Sequence, residues 1–279
     1  MTRFSGAHVV VTGGSSGIGL ETARLAAGRG AAVSLVARDP GRLEAAAASI
    51  AASAPGAAIG TASIDVTDSA AVRAGFAALA RERGPADVLV TAAGLAHPGY
   101  FEQLDDAVFR DQMEVDYFGT LHAIRAVVPS MLERRRGHLV LVSSTAGLVG
   151  VFGYSAYIPT KYAVRGLAET LRRELKPRGI VVSCVYPPDT DTPGFAAENE
   201  IKPAETTAIS AAIAPRPAAD VATAIVRGVE RDRRVITVDV QTALLARAGG
   251  LLEPLVHRSM DRTVRKVQGR GRSGQGGSG

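Results

Sequence analysis

Val9-Val10-Val11-Thr12-Gly13-Gly14-Ser15-Ser16-Gly17-Ile18-Gly19 carries an apolar strand straight into glycines and on into the helical Leu20-Glu-Thr-Ala-Arg-Leu-Ala-Ala27. Gly13, Gly17 and Gly19 let the backbone turn tightly and approach a pyrophosphate. The N–H groups that open the following helix face its negative charge. The spacing Thr-Gly-x-x-x-Gly-x-Gly asks for the preceding strand and for hydroxyls as well as glycines. It makes Gly13, Ser15, Ser16, Gly17, Ile18 and Gly19 candidate dinucleotide-binding residues.

Outward from this turn the chain keeps a strand–helix rhythm. Strands are expected at about 8–12, 32–37, 58–65, 87–91, 138–143, 180–186 and 234–238, and helices at about 17–29, 40–53, 68–83, 105–136, 156–176 and 217–231. Near-continuous apolar strands alternating with helices imply a parallel sheet covered on both faces. The expected fold is therefore α/β, a single Rossmann-type doubly wound parallel sheet of about seven strands with an added C-terminal helical region. Residues 1–240 would form the dinucleotide-binding domain, 241–268 an amphipathic basic helical extension, and 269–279, made only of Gly, Arg, Ser and Gln, a disordered tail. Segment 187–216 breaks the rhythm with five prolines and is expected as an irregular flap over the site.

The net charge of +5 sits entirely at the C-terminus. Residues 241–279 hold seven Lys/Arg and two acids, and the rest balances at 25 of each sign. Such a tail suits a solvated end, a membrane surface or a weak nucleic-acid patch. It has no aromatic side chains to stack on bases, so no nucleic-acid partner is expected. Cys184 is the single cysteine, which excludes an internal disulfide, and the five histidines show no ligand spacing, so no metal site is expected. With no signal-peptide pattern and no run of eighteen apolar residues, the expected location is the cytoplasm, with peripheral membrane contact through the basic C-terminal region as a further expectation.

Chemistry is carried by Tyr154-Ser-Ala-Tyr157-Ile-Pro-Thr-Lys161. Tyr157 and Lys161 are four apart and share one helix face. An ammonium beside a phenol favours the phenolate, which would lower the tyrosine pKa and make it a usable proton donor or acceptor. Ser144 ends the apolar run Leu139-Val-Leu-Val142 and so lies, like the glycine turn, at the C-terminal end of a strand, where ligands bind in such sheets. At the end of the second strand, where an acid would bind the ribose hydroxyl of NAD, the chain has Ala37 followed by Arg38, with Arg42 one turn on. Guanidinium forks suit a 2′-phosphate, so NADP(H) is preferred. Asp39 nearby means that NAD(H) is not excluded.

Over residues 6–240 these motifs resemble the short-chain dehydrogenase/reductase family. The resemblance implies that Ser144 holds a substrate carbonyl, that Tyr157 protonates its oxygen and that Lys161 lowers the tyrosine pKa and binds the nicotinamide ribose. It places Asp65 and Val66 at the adenine, Ala93 and Gly94 along the cofactor, and Pro187, Thr190 and Thr192 near the nicotinamide. It also implies a homodimer or homotetramer through the long helices, with Ala163, Gly166 and Ala168 small enough for close approach. Three positions depart from the family pattern. Thr91-Ala-Ala-Gly94 replaces Asn-Asn-Ala-Gly, Pro188 replaces a glycine, and the family's mid-helix catalytic asparagine falls on Asp116.

A closer likeness lies in Tyr186-Pro-Pro-Asp-Thr-Asp-Thr-Pro-Gly-Phe195 and the following Glu198-Asn199 and Lys202-Pro203, which resemble the ketodihydrosphingosine reductases. That likeness implies reduction of a long-chain 3-keto amine or a similar lipid ketone. The membrane anchor that precedes the core in eukaryotic members is not expected here, since the core begins near residue 6. Leu251, Leu252 and Leu255 would meet a membrane surface, the core or a dimer partner. Reduction of another ketone, β-ketoacyl or steroid-like, and a non-catalytic dinucleotide-binding role remain alternative readings.

Overall fold

The computed structural model describes residues 1–211 and 214–275, without the side chains of 249–253 and 270–275. Seven parallel strands form one sheet in the order β3-β2-β1-β4-β5-β6-β9: Ile59–Ser63, Ala32–Ala37, His8–Thr12, Val88–Thr91, Gly137–Val142, Ile180–Tyr186 and Val235–Thr237. The order reverses at β1, where Thr12 pairs with Val36 on one side and Thr91 on the other. The crevice beyond these strand ends is where a doubly wound sheet binds its ligand.

The strands are apolar because both faces are covered. Val9 and Val11 pack into a core layer with α1 (Gly17–Ala27), α2 (Pro40–Ser53) and α9 (Ala218–Glu230). Val10 points the other way, into a layer with α3 (Ser69–Arg83), α5 (Gly119–Arg134) and α6 (Tyr157–Leu175). Local signals start these helices where expected. Asp39 caps α2 ahead of Pro40, and Asp68 caps α3 by accepting from Ala70 and Ala71. Cys184 is buried in β6, and burial pushes its thiol up to about 12.

Three regions differ from expectation. The helix expected over 105–136 is instead α4 (Asp106–Gln112), a π segment (Met113–Phe118) and α5. A π turn holds more residues than an α turn, so it rotates the faces on either side of it. The flap is largely regular. After β7 (Thr190–Asp191) come α7 (Pro193–Glu200) and α8 (Ala204–Ser210), and β8 (Arg216–Pro217) pairs back on β7. Thr192 caps α7 by accepting from Phe195, and Pro193 takes its first position. The C-terminal region is α10 (Val240–Gln275), kinked at Ala248, so the helix continues into the segment expected to be disordered; 276–279 lie outside the described residues. So do the side chains of Leu251 and Leu252, while Leu255 is exposed. Ala168 packs in the core beneath α6, whereas Gly166 faces open space.

Candidate active site

The glycine turn fits a dinucleotide. Gly13 has a positive φ of 68°, and a Cβ there would lie 2.6 Å from the Ala92 carbonyl oxygen, so only glycine lets the turn press against the loop after β4. Gly17 (φ 53°) opens α1, and its missing Cβ would fall 2.9 Å from Thr192 Cγ2, which brings the flap onto the turn. Ser16, the N-cap, makes no side-chain cap bond, so the first N–H groups of α1 are left for an anion. Gly19 packs against the Gly13 carbonyl, and Ser15 and Ile18 are half-buried along the turn.

At the end of β2, Arg38 and Arg42 are both exposed. The Asp39 carboxylate between them accepts from the Arg42 backbone N–H at 3.0 Å and is engaged as a helix cap. Asp65, after β3, accepts from the Thr67 N–H at 2.9 Å and hydroxyl at 2.8 Å, which fixes its carboxylate. Val66 is buried beside it, and its carbonyl accepts from His122 Nδ1 at 3.0 Å. Ala93 N–H reaches Thr12 Oγ1 at 3.4 Å, while the buried Thr91 Oγ1 finds no partner.

Ser144, Tyr157 and Lys161 converge. Ser144 ends β5 in extended conformation, and its Oγ accepts from Ala146 N–H at 3.1 Å, leaving its own proton for the Tyr157 phenol, with which it is hydrogen-bonded. Lys161 Nζ stands 5.3 Å from the Tyr157 ring centroid and 3.6 Å from Asp116 Oδ2. Asp116, brought in by the π segment, is 1% exposed; its Oδ1 accepts from Leu95 N–H at 2.9 Å and its Oδ2 from Thr160 Oγ1 at 2.8 Å. A Cβ on Gly94 would lie 2.8 Å from Asp116 Oδ1 and 3.3 Å from Lys161 Nζ, so that position too is held to glycine by close approach.

The electrostatics correct one expectation. The Tyr157 phenol is not lowered but pushed above its ordinary range, first by burial and then by the Asp116 charge, with the Ser144 hydrogen bond opposing. Tyr157 therefore holds its proton. Burial likewise raises the Asp116 carboxyl against the pull of Lys161.

The segment after β6 packs against the site. Pro187 O accepts from Thr145 N–H at 2.9 Å and hydroxyl at 3.0 Å, Thr190 is buried with its hydroxyl on Pro188 O at 2.7 Å, and Thr192 lies on Gly17. Tyr154 donates to Glu198, and Lys202 Nζ lies 2.9 Å from Glu198 Oε1 as an ion pair without hydrogen-bond geometry and 4.1 Å over the Phe195 ring. Glu198 and Asp189 are the next charges that Tyr157 feels.

Sequence reasoning missed two residues. Ser143 Oγ donates to Lys161 O at 2.9 Å and pins α6 to β5, and Thr160 ties Asp116 to α6. Thr160 sits three residues after Tyr157, on the same helix face, and that spacing was the available signal.

Comparison with known proteins agrees with this geometry. The family model for short chain dehydrogenases matches residues 7–203. The chain belongs to that family, and with it to the NAD(P)-dependent oxidoreductases that act on ketones and alcohols. It is 42% identical over 264 residues to a 3-ketodihydrosphingosine reductase of Dictyostelium discoideum, covering 88% of this chain and 78% of that protein. With a 3-dehydrosphinganine reductase of Danio rerio the identity is 46% over 211 residues, 75% of this chain and 64% of the other. The chain thus spans somewhat under two thirds of the vertebrate relative. Among solved structures, a short-chain dehydrogenase from Sphingobium yanoikuyae in complex with NADPH superimposes with a TM-score of 0.77 at 28% identity, covering 90% and 95% of the two chains. One from Burkholderia phymatum in complex with NAD gives 0.79 at 25%, covering 91% and 97%.

Proposed function

We propose that the protein is an NADPH-dependent reductase of a long-chain 2-amino-3-ketone of the 3-ketodihydrosphingosine type. The observation that carries this reading is the convergence of Ser144, Tyr157 and Lys161 in one site whose tyrosine keeps its proton. When bound at the glycine turn, the dinucleotide would supply a hydride for the carbonyl carbon. Ser144 donates a hydrogen bond to the carbonyl oxygen and holds it. Tyr157 then gives its proton to that oxygen as negative charge develops there. Lys161 places its ammonium beside the phenol and stabilises the phenolate that is left, while Asp116 and Thr160 hold Lys161 and α6 in register.

Arg38 and Arg42, with Asp39 occupied as a cap, support NADPH over NADH; Asp65, Val66, Ala93 and Gly94 would lie along the adenine and ribose, and Pro187, Thr190 and Thr192 at the nicotinamide. The substrate class is supported by the two named reductases, and the flap run from Tyr186 to Phe195 is part of that likeness. Open space at Gly166 and the exposed Tyr162 on α6 support pairing of this helix in a homodimer or homotetramer. No helix of the described residues is long and apolar enough to cross a membrane, and the exposed Arg258, Arg262, Arg265 and Lys266 of α10 support contact with an anionic membrane surface.

The test is NADPH and NADH oxidation by the purified protein with the long-chain amino ketone, using Tyr157→Phe as the blank. NADPH-dependent turnover that the variant lacks is expected. Bound NADPH without turnover would leave a different ketone or a non-catalytic role.

A further inference from the structure

A cavity of about 600 Å³ lies between the loop at 99–102, the loop at 150–155 and the inner face of α10. None of the roles assigned above uses it. Its volume falls within the range of roughly 300–1,000 Å³ typical of small-molecule sites. Tyr154 lines it at the end nearest the site, with its ring centroid 5.8 Å from that of Tyr157. Phe152 lines it with its ring edge-on to Tyr100, at 6.0 Å. Met260 and Val264, one helical turn apart, line it from α10. The carboxylates that border it, Glu102 and Asp261, are exposed at its rim.

The walls are tied together from behind. Glu205 of α8 is 4% exposed and accepts from the Tyr100 hydroxyl at 2.9 Å and from Gln268 of α10 at 3.2 Å. Thr206 donates to the Phe152 carbonyl at 2.9 Å, and Gly99 N–H to the Gly153 carbonyl at 2.8 Å. One buried carboxylate thus binds the C-terminal helix to the loop at 99–102, and Thr206 and Gly99 hold the loop at 150–155 that precedes Tyr157. A cavity lined mainly by apolar side chains, with the Ser155 hydroxyl and His257 as polar groups in its wall, carboxylates at its rim and one end beside the catalytic tyrosine, fits a flexible hydrocarbon chain attached to the reacting group.

We propose that this cavity receives the alkyl chain of the substrate, which runs past Tyr154 and beneath Met260 and Val264 while its ketone lies at Tyr157. The inference rests on the reading of the site as a long-chain amino-ketone reductase. It makes α10 the element that measures chain length, so that kcat/KM rises by about fourfold per methylene until the cavity is filled.

The experiment is a chain-length series of 2-amino-3-ketones with the full-length protein and with Val264→Trp. In parallel, a brominated-chain amino alcohol is titrated into Phe152→Trp, with exposed Val240→Trp as the control. The chain contains no tryptophan, so each variant reports through a single indole. The expected result is a steep chain-length dependence that V264W flattens, with short ketones unaffected, and quenching in F152W but not in V240W. An unchanged dependence in V264W together with no selective quenching in F152W would overturn the inference while leaving the reductase reading intact. Selective quenching without turnover of any amino ketone would support the chain site and sink the reductase reading.

Discussion

Asp116→Asn separates the two things that the buried carboxyl does. The Thr160 hydroxyl has one proton but stands 2.8 Å from both Asp116 Oδ2 and the Tyr157 carbonyl oxygen. An asparagine can donate through its amide to Thr160, which then donates to Tyr157 O, while the amide oxygen keeps the Leu95 N–H. The hydrogen bonds with Leu95 and Thr160 survive, and what is lost is the acceptor charge beside Lys161. At 3.6 Å from Lys161 that charge gains about 4–5 kcal/mol at an effective dielectric of about 20, against a burial cost of several kcal/mol per ion. The net change in stability should stay within about 1 kcal/mol, a shift of roughly 2–4 °C in Tm. Asp116→Leu, which loses the same charge and also strands the Leu95 N–H, should cost about 1–3 kcal/mol more than Asp116→Asn. The activity readout has a definite sign. The Asp116 charge raises the Tyr157 pKa, so its removal lowers that pKa, and reduction, which needs the protonated phenol, should fail at a lower pH in D116N than in the native enzyme. The assay is kcat/KM for ketone reduction against pH, with urea unfolding of both variants alongside. An alkaline limb that stays in place or moves up, or a D116N protein as unstable as D116L, would refute the reasoning.

Three further outcomes are expected. Arg38→Ala should raise the KM for NADPH by about 10- to 100-fold, the worth of one or two charge-assisted hydrogen bonds, and leave that for NADH unchanged in steady-state assays. His138 is fully buried between Thr2 and Ser183, and burial lowers its pKa from 6.5 to about 4. The unfolded chain therefore takes up a proton there that the folded chain refuses as pH falls from about 6.5 to about 4, a loss of about 3 kcal/mol that urea titrations at the two pH values should show and His138→Asn should diminish. Cys184, buried with its thiol pushed up to about 12, should react with thiol reagents only after unfolding, as followed by absorbance in native and denaturing buffer.

The sheet was legible because strands buried on both faces read as apolar runs, and Val9–Val11 and Ile180–Val185 show it plainly. The break at Met113–Phe118 was not, since one extra residue per turn leaves no mark on an apolar pattern of this length. The flap was read as irregular from its prolines, although Thr192-Pro193 is a helix-start signal that could have located α7. Ser144, Tyr157 and Lys161 were found through spacing because two of them share a helix turn and the third ends a strand. Leu95 N–H on Asp116 could not be, because a backbone donor 21 residues away is placed by the chain path alone. The Tyr157 pKa shows the same limit. Lys161 and Asp116 are both visible in the sequence with opposite effects on the phenol, whereas the burial that decides the direction exists only once the chain has folded.

The central claim is hydride delivery to a long-chain amino ketone held by Ser144 and Tyr157. The most direct measurement supplies NADPH deuterated at the transferring position with the ketone and examines the product by mass spectrometry. The account predicts a long-chain amino alcohol with one deuterium on the former carbonyl carbon, formed by the native enzyme and not by Tyr157→Phe. Product without deuterium, equal product from the variant, or no reduction of the amino ketone despite bound NADPH would contradict it.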